Sequence, residues 1–463
     1  MRPIGLSDQV LHQAVSRYGT PLFLYNLVTI ATRYHTLTDH LPSHCRVHYA
    51  LKANSNLAIC RHLAQLGAAA EVSSLGEFVT ALKAGYAAAE IVFTGPGKPT
   101  EELMVAMEAG VGLIVVESVN EAARVNEIAH QLGTQQPVLL RINPNYRTEQ
   151  SCEVTTCAVN QPVGIKTSPG EGLQPIQMNG QGASKFGIDE AAAPDALNQM
   201  QAMHHLDVQG IHVFTESNVL DYEHLLAAWR NTLTIADRLR HAGYPITTLD
   251  FGGGIGIPYN RVDAAFDMAR FGKALEALLA TAAYPYKCIL EIGRYLVCEA
   301  GCYLTTVVDV KQSQGQPIVI INGGIHHLYR TPAMQPASKF LEVLGKTGTM
   351  QNSLLAGQLP TPIDVLVRDV PLPTEIAIGD VLAIYNCGAY GFNHALTNFT
   401  LHPHPAEVAH YHNDLSLIRS RGNMADFFTH QVLPDWDTDI SSEVPLLDPP
   451  QARIFPPPTC SVA

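Results

Sequence analysis

The sequence predicts an α/β chain: a (β/α)8 TIM barrel, then a mostly β domain of sandwich or barrel type that the N-terminal segment completes. Three observations carry that expectation. Apolar runs near residues 45–52, 68–72, 91–94, 112–116, 137–142, 207–213, 246–250 and 287–291 alternate with amphipathic segments such as Asn56–Leu66, Leu75–Ala84 and Glu121–Leu132. Polar or Gly-rich residues follow run after run, as in Glu71-Val-Ser-Ser, Thr94-Gly-Pro-Gly and Phe251-Gly-Gly-Gly. After residue 295 the helical texture gives way to β-branched runs separated by turns.

Taken in order, the chain begins with a short segment ending in Tyr18-Gly-Thr-Pro-Leu-Phe-Leu-Tyr-Asn26, a turn followed by a strand over Leu22–Tyr25. Alternating strands and helices then mean βα units and a parallel sheet. A doubly wound open sheet is the competing arrangement. The barrel fits better, because it gathers every polar loop at the strand ends onto one face. Tyr146–Ala183 breaks the rhythm and reads either as a long loop between the fifth and sixth units, over the mouth of the site, or as a disordered surface insertion. Beyond it, Tyr303–Val310, Pro317–Asn322, Ile363–Asp369 and Asp380–Tyr385 read as strands, and helical spacing returns at Leu415–Gln431. The expected domains are a barrel over residues 27–295 and a β domain over residues 1–26 and 296–433. A Pro-rich tail over residues 434–463 is expected to be extended or disordered.

Bulk composition narrows the function. The chain has 463 residues, 46% hydrophobic and 15% charged, enough for two or three domains with large cores. The formal net charge of −13 argues against a nucleic-acid or anionic-membrane partner. Nine scattered cysteines with no paired CxxC spacing read as reduced thiols of a cytoplasmic protein. No signal peptide or membrane span is expected.

The chemistry centres on Tyr49-Ala-Leu-Lys-Ala-Asn54, where Lys52 ends the first barrel strand. A lysine there is either a salt-bridged structural residue or a reactive amine. Two stretches suit a phosphate: Leu249-Asp-Phe-Gly-Gly-Gly-Ile-Gly256 and Glu291-Ile-Gly-Arg294 follow the seventh and eighth strands, where barrels build phosphate sites. Cys387-Gly-Ala-Tyr-Gly391 is a third, in the β domain. An imine-forming lysine, a phosphate cradle and a carboxylate for a protonated pyridine nitrogen are what pyridoxal 5′-phosphate (PLP) requires.

These blocks, with Glu71-Val-Ser-Ser-Leu-Gly-Glu77, Phe93-Thr-Gly-Pro-Gly-Lys98, Arg141-Ile-Asn-Pro144 and Ser184-Lys-Phe-Gly-Ile-Asp189, resemble the fold-type III PLP-dependent decarboxylases, which share the alanine racemase-type barrel and include the diaminopimelate, ornithine and arginine enzymes. The likeness runs from about Tyr18 to Gln431. It implies that Lys52 carries the cofactor and that Glu291 faces the pyridine nitrogen. It further implies that Gly253, Gly254, Gly293, Arg294 and Tyr390 hold the phosphate with help from Ser217, and that the enzyme is a homodimer.

Three positions depart from the family. Phe214 stands where a ring-stacking histidine belongs, and His212 reads as structural. Pro360 replaces a cysteine that protonates Cα, leaving Lys52, a water, Cys387 or Tyr390 to supply the proton. Thr361 replaces the distal-group reader, which argues against a substrate with a free distal ammonium. The Thr-Pro-x-Asp-Val-Leu pattern resembles the natural-product, siderophore and exopolysaccharide subgroup. Arg330 is expected to meet a substrate carboxylate, Asp364 and Glu216 are expected to be structural, and His326 and His327 are not expected to bind metal, nor is any other residue. The resulting expectation is decarboxylation at Cα of an L-amino acid, free or carried on a carrier protein. Racemisation, elimination and a non-catalytic binding role are the alternatives.

Overall fold

The computed structural model describes residues 6–145, 183–259, 263–330 and 340–432, with the backbone of residues 176–177. The chain divides into two compact units, Ile30–Cys298 and a second made of Met1–Thr29 with Glu299–Ala463.

In chain order, β1 (Leu22–Asn26) belongs to the second unit. The first unit then runs through β2 (Cys45–Ala50), β3 (Ala69–Val72), β4 (Ile91–Phe93), β5 (Leu113–Val116), β6 (Gln136–Asn143), β7 (Leu206–His212), β8 (Thr248–Asp250) and β9 (Lys287–Ile292). All their mutual pairings are parallel, in the order β5-β4-β3-β2-β9-β8-β7-β6, and pairing of β5 with β6 closes an eight-stranded barrel. Each expected barrel strand is present within a few residues of its expected place.

Local chemistry sets the helices between them. Asn56, Ser74 and Ser118 each accept a backbone N–H of the first turn, from Ala58, Glu77 and Glu121 respectively, and so start the helices Leu57–Leu66, Leu75–Ala84 and Val119–Leu132. Gly67, Gly85 and Gly133 end them in left-handed conformations. These helices bury apolar stripes such as Ile59, Cys60 and Leu63 against the barrel wall.

The interior is filled. Val92, Leu113, Val115, Leu139 and Ile289 form one buried cluster, and Ile289 on β9 is not a wall neighbour of β4, β5 or β6. The contact therefore crosses the barrel, leaving chemistry to the rim above it.

In the second unit, β10 (Gly301–Ser313), β11 (Gln316–Ile321), β12 (Leu341–Val343), β13 (Met350–Ala356), β14 (Val365–Pro373), β15 (Val381–Ile384), β16 (Ala406–Tyr411) and β17 (Asp414–Arg419) form a sheet with β1. β1 lies between β10, antiparallel, and β16, parallel, so the N-terminal segment does complete the β domain. Two expectations need correction. Leu415–Gln431 is not one helix: β17 pairs antiparallel with β16, and only Met424–Phe428 turns helically, as a 3-10 segment. Hairpin pairing outweighs the weak helical spacing there. The strand before Lys52 ends at Ala50, and Lys52 sits in a 3-10 turn over Leu51–Ala53. The loop expected over residues 146–183 lies outside the described residues except Ala183 and the backbone of 176–177, which pairs with Glu216–Ser217. The Pro-rich tail also lies outside them.

Barrel closure tests the packing directly. A Cβ at Gly210 on β7 would lie 1.8 Å from the Thr248 carbonyl oxygen on β8. Gly210→Ala should destabilise the barrel by at least about 2 kcal/mol, seen as a lowered urea midpoint in circular dichroism.

Candidate active site

The first unit assembles the site from the carboxyl ends of its strands. The turn carrying Lys52 is pinned on both sides, because Tyr49 donates its hydroxyl to the Asn54 carbonyl at 2.7 Å and the Asn56 N–H reaches the Asn54 side chain at 3.0 Å. Leu51 and Ala53 point into the core, and Lys52 projects from the rim with its side chain 39% exposed. Its ammonium lies 2.7 Å from Oε2 of Glu71, which is fully buried at the end of β3. The other Glu71 oxygen accepts the hydroxyls of Ser73, at 3.0 Å, and Thr94. A buried carboxylate needs such partners to remain charged.

Glu291 occupies the corresponding depth on β9. His212 Nε2 lies 3.5 Å from its Oε2, and the Asp250 carboxyl is hydrogen-bonded to it. Burial pushes the Glu291 carboxyl up, but the charges of His212, Lys52 and Arg141 outweigh burial and hold it at about 2. Asp250, at the end of β8, goes the other way. Burial and the neighbouring Glu291 charge push it well above the carboxylate range, against the pull of a 2.8 Å hydrogen bond from the Gly252 N–H. The three buried side chains His212, Asp250 and Glu291 present ligand atoms within 4.8 Å of one another. Asp250 is thus the proton-bearing acid and Glu291 the carboxylate.

The glycine run after β8 sits close against its surroundings. A Cβ at Gly253 would lie 2.4 Å from the Glu291 carbonyl, and one at Gly293 would lie 2.8 Å from Ala53 Cβ. Only bare backbone fits there, which leaves N–H groups open to a close anion. Arg294 is buried beside this loop, donating to the Tyr259 hydroxyl and, at 3.3 Å, to Ser217 Oγ. Phe214 is half-buried, with its ring against Gly252. Glu216 accepts from His224, consistent with a structural role.

Of the expected site residues, Lys52, Phe214, Ser217, Gly253, Gly254, Glu291, Gly293 and Arg294 lie in the first unit; Tyr390, Arg330 and Thr361 lie in the second. Tyr390 occupies a left-handed turn at φ 52°. Nη2 of Arg330 donates to the Tyr385 and Asn386 carbonyls at 2.9 and 3.1 Å and contacts Cys387 Sγ, while its Nη1 is buried without a partner among the described residues. Cys387 is buried, and burial pushes its thiol up despite the Arg330 charge. Asp364 accepts the Ile325 and Leu359 N–H groups, both at 2.8 Å, and shapes the turn holding Pro360 and Thr361. His327 bonds Tyr303 and the Pro403 carbonyl, a structural arrangement.

Four site residues had no sequence assignment: Glu71, Thr94, Asp250 and Tyr259. The first three lie at the carboxyl ends of β3, β4 and β8 or follow directly on them, and a polar residue at a strand's carboxyl end was the available signal. Nothing in the sequence marks Tyr259.

Residues 27–171 and 156–298 match the family model for the pyridoxal binding domain of pyridoxal-dependent decarboxylases. Diaminopimelate decarboxylase of Neisseria meningitidis serogroup B is 33% identical over 87% of this chain and 91% of its own. The L-glutamyl-(BtrI acyl-carrier protein) decarboxylase of Niallia circulans is 29% identical over 93% and 97%. The crystal structure of diaminopimelate decarboxylase from M. jannaschii with L-lysine superposes with TM-score 0.81 at 29% identity, covering 91% of this chain and 94% of that one. The chain belongs to the pyridoxal-dependent decarboxylases. Within that family it is a PLP-dependent amino-acid decarboxylase, with PLP as its cofactor. No described helix is long and apolar enough to cross a membrane.

The residues fit that cofactor. The ionised, buried Glu291 carboxylate is a charged acceptor for a ring N–H, and the glycine turns with Arg294 and Ser217 suit a dianionic phosphate. A pH signature follows from Glu77, whose Oε2 accepts the Ser73 N–H at 2.8 Å. Burial, then the Glu71 charge, raises its carboxyl to about 7. Between pH 4.5 and 7 the folded state holds a proton that the unfolded state has lost, so stability falls as pH rises through that window and the loss is complete above pH 7. Glu77→Gln keeps an acceptor and removes the titration. Its stability relative to the parent should increase from pH 4.5 to 7, as read by urea midpoints at each pH.

Proposed function

We propose that this enzyme removes the α-carboxylate of an L-amino acid whose distal group carries no free ammonium, including an aminoacyl group borne on a carrier protein. When bound, PLP supplies a ring that accepts the electrons of the breaking Cα–carboxylate bond. Lys52 is the amine that holds the cofactor and yields its place to the substrate amine. Glu71 keeps that ammonium oriented and receives it when it is displaced. Glu291 stays ionised and accepts the pyridine N–H, so the ring remains protonated. Gly253, Gly254, Gly293, Arg294 and Ser217 hold the phosphate, and Phe214 covers the ring face; Tyr390 is a further phosphate ligand in this reading. The single observation that carries this reading is the buried Glu291 carboxyl, which the charges of His212, Lys52 and Arg141 hold ionised at the carboxyl end of the barrel.

Lys52 is also the residue that returns the proton to Cα. Pro360 has none to give, and the Cys387 thiol is buried among the carbonyls of Ile384 and Tyr385. Arg330 meets the substrate carboxylate through its uncommitted Nη1. Thr361 supports the absence of a distal ammonium, and the carrier-bound glutamyl group named for the N. circulans relative supports the tethered substrate. A cytoplasmic homodimer is part of the same reading. Ile363, 61% exposed beside Thr361, is an apolar residue that a second copy would cover. Light scattering should give twice the 50.2 kDa chain mass.

Mass spectrometry of amino acids, free and thioester-linked to a carrier protein, tests the substrate assignment. Loss of carbon dioxide is expected from carrier-linked or distally neutral substrates and not from diaminopimelate or ornithine. Comparable turnover of those two diamino acids would sink it. Lys52→Ala should abolish turnover, and Glu291→Gln should lower kcat roughly a hundredfold or more while the phosphate grip is retained.

A further inference from the structure

One cluster of potential ligands lies away from the site just described. Cys45 opens β2 and Cys288 is the second residue of β9, and the parallel register of these adjoining strands sets the two cysteines directly beside each other. The Cys288 N–H also donates to the His44 carbonyl at 3.0 Å. Alternation along the strands turns these thiols to the opposite side of the sheet from His48 and Glu291, which are paired three residues further on. The cluster therefore lies on the outer surface of the wall, at the amino-terminal end of the barrel and away from Lys52.

The two sulfurs and a ring nitrogen of His44 all lie within 4.8 Å of one another. Access is stepped, since Cys288 is buried, Cys45 half-buried and His44 exposed. A tetrahedral zinc with Zn–S bonds of about 2.3 Å spaces its sulfurs about 3.8 Å apart, within reach of small side-chain rotations here.

We propose that His44, Cys45 and Cys288 bind one thiophilic divalent cation of the zinc class, tying β2 to β9 where the first and last barrel strands meet. Both thiols release their protons to solvent, and two thiolates with a neutral imidazole balance the 2+ charge. Water fills the fourth position. The site is separate from the cofactor and takes no part in decarboxylation.

The test uses the full-length holoenzyme, kept reduced with a phosphine in chelator-free buffer. It is dialysed against Zn2+ and, in a second arm, titrated with Cd2+. The wild type should retain one more zinc per chain than Cys45→Ser/Cys288→Ser. It should also show an ultraviolet thiolate-to-cadmium charge-transfer band that the double variant lacks. His44→Ala, an exposed substitution that leaves the strands intact, should weaken cadmium at least tenfold and keep the band. Equal zinc in wild type and double variant, or a band that persists without both cysteines, overturns the proposal. So does unchanged cadmium affinity in His44→Ala, a result available even if the double variant does not fold.

Discussion

The structure depends on keeping negative charge inside a barrel. Glu71, Asp250 and Glu291 are buried among the strand ends, where an unpaired carboxylate is expensive. Each is handled differently. Glu71 takes the Lys52 ammonium and two hydroxyls. Asp250 keeps its proton. Glu291 stays ionised because His212, Lys52 and Arg141 surround it. The result is one buried carboxylate that stays charged among the strand ends. Lys52 belongs to both halves of this balance. It pairs with Glu71 directly and holds Glu291 down at longer range.

The barrel makes that balance possible. Register sets His48 beside Glu291 and Asp250 beside His212, so residues distant in sequence face one another at fixed depth. The apolar cluster around Ile289 closes the interior beneath them. Close backbone packing at Gly253 and Gly293 then brings the phosphate loops to the rim. Arg294 is aimed by Tyr259 and Ser217, two residues from different loops.

Much of this was legible in the sequence because it is periodic or local. Strand alternation, caps such as Ser74 and Ser118, and the Gly-rich turns each follow from neighbours a few residues away. Lys52, Glu291 and Arg294 were legible because they lie at or just after the carboxyl ends of barrel strands. Partnerships across the barrel were not. Neither the Lys52–Glu71 pair nor the Cys45–Cys288 pair has a spacing that sequence could report, since register alone creates them. Leu415–Gln431 misled because the alternation of Leu415 and Leu417 is a strand signal, and pairing with β16 makes that segment β17. The anchoring of Arg330 Nη2 on the Tyr385–Cys387 turn was not legible either, because it joins segments far apart in the chain.

The central claim is that Lys52 is the amine that carries the cofactor, held in place by Glu71 and working opposite an ionised Glu291. Borohydride treatment of the PLP-loaded enzyme, followed by peptide mass mapping, tests it most directly. The account predicts the reduced cofactor mass on the peptide containing Lys52 and on no other lysine peptide. An unmodified Lys52, or the mass on Lys98 or any other lysine, would contradict it.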